Sequence, residues 1–166
     1  VLFVFASLVA AQEKKDSRLA EFSPKGTRFR VLLPGTPVES DLRVQGMKAR
    51  SWRSDEKGQG YALMAIDLPE KLLKEDKRSP EARLEGALSG GLWFSTPNKE
   101  EPKKLFLADK YPGLETTATR KNDGRLLRMR TYLIASQIVH LVVLGKPDFL
   151  SAGEATKFLE SLQVGK

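Results

Sequence analysis

Two short turns do most to restrict the folds open to this chain. Gln45-Gly46 lies between the strand-like runs 38–44 and 47–53, and Asn122-Asp123-Gly124 lies between 114–120 and 125–134. Gly, Asn and Asp accept the left-handed backbone of tight hairpins. A strand that returns through such a turn pairs antiparallel with the one it left, because a parallel neighbour needs a crossover of a dozen residues or more. Both halves of the chain are thereby committed to antiparallel pairing.

Other runs extend the pattern. Phe29, Val31 and Leu33 alternate with Arg30 and Leu32, which is strand spacing, and Pro34-Gly35-Thr36-Pro37 ends the run as a turn. Asp55 to Gly60 reads as another turn, and Tyr61 to Ile66 as a strand apolar enough to be buried on both faces. Lys104 to Ala108 is a short strand, Tyr111-Pro112-Gly113 a turn, and Ile138 to Leu144 the most apolar strand, expected at the centre of the sheet. Helical signals fall in three places. Pro69 to Glu75 suits a short helix. Ser79-Pro80-Glu81 supplies a cap, a proline at N1 and an acid in the first turn, followed by Leu84, Leu88 and Leu92 on one face, with Thr96-Pro97 as a stop. Ser151 to Leu162 reads as a closing helix, with Ser151 and Glu154 as a capping box.

The expected class is therefore α+β: a single mainly antiparallel sheet of about six to eight strands packed against two or three helices. One domain over 26–166 is expected, preceded by a flexible arm over 12–25. Val1 to Ala11 is uncharged and nearly all apolar, and ends in small residues before the charged Glu13-Lys14-Lys15-Asp16. That matches the apolar and cleavage regions of a secretory signal peptide, and eleven residues are too few to span a bilayer. The expected location is thus periplasmic or extracellular. There is no cysteine, so no disulfide and no acylated thiol is available, and the core alone must hold the fold. Lys and Arg number 28 against 21 Asp and Glu, a net charge of +7. Such an excess favours acidic partners, and export disfavours nucleic acid among them.

The phrase Phe29-Arg30-Val31-Leu32-Leu33-Pro34-Gly35-Thr36-Pro37 resembles the opening strand and turn of exported bacterial domains with the Mog1/PsbP-like α+β fold. The aromatic strand at Tyr61-Ala62-Leu63-Met64 and the closing Phe158-Leu159-Glu160-Ser161-Leu162 resemble later elements of the same fold. The resemblance implies an adaptor or assembly role without catalysis. It carries no binding residues onto this sequence.

Catalytic signals are sparse. His140 is the only histidine and lies in an apolar run, where a core or sheet-face histidine with satisfied nitrogens is expected. Gly86-Ala87-Leu88-Ser89-Gly90-Gly91 matches neither a nucleophile elbow nor a phosphate loop, and its small residues suit close approach of a helix to a sheet. The carboxylates are scattered beside lysines, no calcium loop is present, and no cofactor or metal is expected. Trp93-Phe94 reads as core. What remains is a pattern of cations and aromatics at strand spacing: Lys48, Arg50 and Trp52 on one strand, Arg128, Arg130 and Tyr132 on another. On an outward sheet face these six would form a binding surface for a protein or an anionic component of the envelope. The function expected is an exported, non-catalytic binding or assembly module. The alternatives are a periplasmic hydrolase using carboxylates and a charge-driven adapter for anionic lipid or glycan.

Overall fold

The structure, a computed structural model, describes residues 18–56, 58–92, 95–98 and 100–165. The export segment 1–11, residues 12–17 of the expected arm and Trp93-Phe94 lie outside the described residues. The chain runs through β1 (Leu19–Phe22), β2 (Phe29–Pro34), β3 (Val38–Val44), β4 (Met47–Glu56), β5 (Gln59–Asp67), α1 (Glu70–Glu75), α2 (Pro80–Gly91), β6 (Ser95–Pro97), β7 (Lys103–Leu107), β8 (Tyr111–Arg120), β9 (Leu126–Ile134), β10 (Gln137–Gly145), α3 (Pro147–Leu150), α4 (Gly153–Glu160) and β11 (Gln163–Val164).

An eight-stranded sheet has the order β3-β4-β5-β10-β9-β8-β6, with β7 also paired to β8. Every pairing in it is antiparallel. The α+β class and the antiparallel sheet expected from the hairpins are present, and β10, the most apolar strand, is central. A second, three-stranded sheet of order β1-β2-β11 and a fourth helix go beyond that expectation. β1 and β11 are four and two residues long, too short to display a period. Leu19–Phe22, expected within the flexible arm, instead pairs with β2 from Leu19↔Pro34 to Phe22↔Val31, and Leu19 is buried.

Local chemistry explains most of the boundaries. Gln45 and Gly46 both have positive φ, 50° and 81°, as a two-residue hairpin requires. Ser79 Oγ accepts from the Ala82 N–H at 3.2 Å and caps α2, with Pro80 at the first helical position. Tyr111-Pro112-Gly113, expected as a turn, lies within β8, and the reversal falls at Ala108 and Asp109, both with φ of 51°. Pro112 is tolerated there because pairing with β9 begins only at Gly113, so one side of the strand is open at the proline. The single closing helix expected over 151–162 is broken in two. Pro147 starts α3, and the Ser151 hydroxyl turns back onto the carbonyls of Pro147 and Asp148. Ser151 therefore forms no capping box with Glu154, and α4 starts without a side-chain cap.

The two faces of the large sheet are covered unequally. On one, Trp52, Leu63, Leu141 and Tyr132 pack beneath Phe29, Val31 and Leu33 of β2 and beneath Phe149, Phe158 and Leu159 of α3 and α4. On the other, α2 lays Leu84 and Leu88 on Leu114, Ala118, Leu127 and Met129 of β8 and β9. That helix stops short of β5, so Ala62 and Met64, expected to be sealed on both sides, are only half-buried.

Candidate functional site

The six residues expected to form an outward binding surface do share one face of the sheet. Arg130 pairs with Leu141 across β9 and β10, Leu141 with Leu63 across β10 and β5, and Leu63 with Trp52 across β5 and β4. That face is the one covered by β2, α3 and α4, so the surface is turned inward. Trp52 and Tyr132 are core residues, 1% and 2% exposed. Arg128 donates to Glu115 Oε1 at 2.9 Å and to Thr156 Oγ1 at 3.0 Å. Arg130 donates to Glu115 Oε2 and, at 3.2 Å, to the Leu159 carbonyl. Burial would raise the Glu115 carboxyl, but hydrogen bonds from Arg130 and Arg128 overcome it and hold the group below its ordinary value. The two arginines thus fasten α4 to the sheet. Arg50 lies over the Trp52 ring at 5.1 Å and donates to the Lys25 and Gly26 carbonyls, closing the β1–β2 turn. Lys48 alone of the six is exposed. Alternation gave the shared face correctly. It could not show that long-range elements cover it, because an arginine bound to a buried carboxylate has the same sequence spacing as a solvated one.

An apolar opening lies on the opposite face, in the space that α2 leaves over β5 and β10. It is a cleft of about 450 Å3. Met64, Ile66, Ile138 and Val142 supply its sheet wall, Leu72 and Leu73 of α1 one side, and Gly86, Ala87, Gly90 and Gly91 of α2 the other. The small residues fulfil the role read from them. A Cβ on Gly91 would stand 3.2 Å from Met129 Cε and 3.4 Å from His140 Cε1, so the bare backbone lets the helix end come down on the sheet.

His140 sits in the cleft floor and is 3% exposed. Its Nδ1 lies 2.8 Å from Thr131 Oγ1. Burial pushes its pKa down to about 4, so the imidazole is neutral at ordinary pH. The Thr131 hydroxyl is itself fully buried, and His140 Nδ1 is its only hydrogen-bond partner among the described residues. A buried hydroxyl that donates to Nδ1 leaves the ring proton on Nε2. At the rim, Arg78 grips both oxygens of Asp76, at 2.9 and 2.8 Å, and this hydrogen bonding draws the carboxyl down to about 2. Among the described residues no group of three or more His, Cys, Asp or Glu side chains is gathered as a metal site would be. No described helix is long and apolar enough to cross a membrane.

The fold is that of PsbP-like α+β domains. The solution structure of cyanobacterial PsbP (CyanoP) from Synechocystis sp. PCC 6803 superposes with a TM-score of 0.57 over 96% of this chain and 99% of that one, at 10% identity. A protein of unknown function from Pseudomonas aeruginosa is also similar, with a TM-score of 0.44, 6% identity, and coverage of 84% of this chain and 90% of that one. No family model matches the sequence, and no curated protein matches it at significance.

Proposed function

We propose that the protein is an exported binding module whose ligand site is the apolar cleft between the β5–β10 stretch of the sheet and helices α1 and α2. One observation carries this. A sheet otherwise covered by helices and a second sheet leaves Ala62, Met64 and Val142 half-open at the bottom of a concave, apolar-walled space of ligand size. Export rests on the Val1–Ala11 segment.

The groups around the cleft favour binding over turnover. Among the described residues its only carboxylate is Asp76, whose shift is downward, opposite to that of a general acid. His140 is neutral, buried and committed at Nδ1 to Thr131. A hydrolase working through paired carboxylates is disfavoured by that arrangement. The charge-driven adapter is disfavoured because Arg120, Arg125, Arg128 and Arg130 are paired with Asp123 and Glu115 inside the chain.

The test is titration of the purified protein with a neutral apolar fluorescent dye, Nile red, under native conditions. Saturable binding near one equivalent is expected. Gly90→Leu, which grows into the cleft from α2 while improving helix propensity, is expected to abolish it without lowering stability. Met64→Arg should act the same way from the sheet side. Equal dye binding by the native protein and both variants would place the site elsewhere.

A further inference from the structure

The cleft is apolar along its walls and charged at one end. Its charged lining residues are Asp76, Arg78 and Arg83, two cations against one anion. Arg78 uses the Asp76 carboxylate fully. Arg83 is held at the same place by a hydrogen bond to the Asp76 carbonyl. Its Nε stands 3.3 Å from Asp76 Oδ2, an ion-pair contact without hydrogen-bond alignment, so among the described residues this buried N–H has no acceptor. A buried donor without an acceptor is rare in folded proteins, and unlike the Trp52 indole in the core this one belongs to a side chain that lines the cleft. The opposite requirement holds below the rim, where Met64, Ile66, Ile138 and Val142 offer only carbon and sulfur, and His140 adds no charge at neutral pH.

We propose that the cleft binds a single-chain amphiphile, an acyl chain ending in an anionic oxygen head, with the head against Arg83 and the chain lying on the β5–β10 wall. The proposal rests on the cleft being the ligand site and adds the class of ligand. The head accepts from the cleft-lining guanidinium of Arg83 and offsets the surplus positive charge. The chain covers the half-open sheet residues, where burial of apolar surface contributes most of the binding. A cationic head is disfavoured by the same rim, and a neutral hydroxyl head accepts only an uncharged, weaker hydrogen bond and leaves the surplus positive charge uncompensated. A free fatty acid and the acyl chain of an anionic membrane lipid share this chemistry.

Calorimetric titration of the full chain with dodecanoate and dodecyltrimethylammonium below their micelle concentrations, and with dodecanol below its solubility limit, separates the two claims. Dodecanoate is expected to bind at least tenfold more tightly than dodecanol, with the ammonium compound weakest. Arg83→Met should remove that preference while dodecanol binding persists, which also shows that the variant is folded, and Arg83→Lys should keep part of it. Sedimentation with phosphatidylglycerol vesicles distinguishes the source. Dodecanoate binding without vesicle binding assigns a free amphiphile, and vesicle binding lost in Gly90→Leu assigns a membrane acyl chain. Dodecanol bound as tightly as dodecanoate, or a preference insensitive to Arg83→Met, would overturn the ligand class and leave the cleft as the site. Failure of all three detergents and of the dye to bind would overturn both.

Discussion

Thr131 and His140 are register partners on adjacent strands β9 and β10, and their side chains meet at 2.8 Å in the floor of the cleft. Each meets a requirement of the other. The hydroxyl gains a partner it finds nowhere else among the described residues, and the ring nitrogen gains one inside a site whose burial keeps the imidazole neutral. Both are buried between strands that could have carried aliphatic residues, so a polar pair here has to be satisfied locally or not at all.

That burial predicts a specific acid sensitivity. The folded-state pKa of His140 is about 4, below the ordinary value of 6.5. Between those values the unfolded chain binds a proton that the folded one does not, so stability falls as pH drops from 6.5 towards 4 and the His140 contribution levels off below that. The loss attributable to this residue is roughly 3 kcal/mol. Urea midpoints for the native protein and His140→Phe at pH 7.0, 5.5 and 4.5 should converge as the pH falls. Parallel profiles would show that His140 does not carry the effect.

Glu115 is the carboxylate that Arg128 and Arg130 share, and all three are mostly buried; Arg130 also reaches the exposed Glu160 at 3.5 Å. Glu115→Ala should cost about 2–4 kcal/mol, because it strands two guanidiniums rather than removing one contact. Combining it with Arg130→Met should recover part of the loss. The check is a denaturant double-mutant cycle, and simple additivity of the two changes would argue against the staple.

Trp52 is buried in the core, and its indole N–H has no hydrogen-bond partner among the described residues. Trp52→Phe removes an unmatched donor together with some volume, so the net cost should stay below about 1.5 kcal/mol. Phe158→Ala, in the same core and edge-on to Tyr61 at 5.4 Å, should cost about 3–5 kcal/mol. Thermal or urea unfolding ranks the two. A Trp52→Phe loss as large as that of Phe158→Ala would mean that the indole is satisfied in solution.

Gly113 faces Tyr132 across β8 and β9. A Cβ there would stand 2.5 Å from Tyr132 Cδ1 and 2.7 Å from Leu105 Cδ1. Gly113→Ala should therefore destabilise by about 1–3 kcal/mol despite the better strand propensity of alanine. Pairing it with Tyr132→Leu should restore much of the loss, as read from unfolding midpoints.

Much of the fold was legible because it is written locally. Gln45-Gly46 and Asn122-Asp123-Gly124 do specify hairpins, Ser79-Pro80 does open a helix, and Phe29, Val31 and Leu33 do face the core. The misreadings are of another kind. Pro147 divides what periodicity joins, and β1 is recognisable only once β2 is beside it. The cleft was the hardest part to read. Its walls come from β5, β10, α1 and α2, and its signals are an apolar run that is sealed on one side only and glycines inside a helix. The arginine–aromatic pattern was legible as a face, but the carboxylate and the helix that cover it are fixed by packing across the whole chain.

Ser161 Oγ accepts from the Leu32 N–H at 2.9 Å, Gly165 N–H reaches the Arg28 carbonyl at 2.8 Å, and β11 pairs with β2 at Gln163↔Arg30 and Val164↔Phe29. The strand that seals one face of the large sheet is thus completed by residues more than a hundred positions later. Chain emerging residue by residue from a ribosome or a translocation channel would hold Phe29, Val31 and Leu33 uncovered until the last turn of α4 is free. Closure of that face therefore waits on contacts of long sequence separation, which makes it a late step in folding.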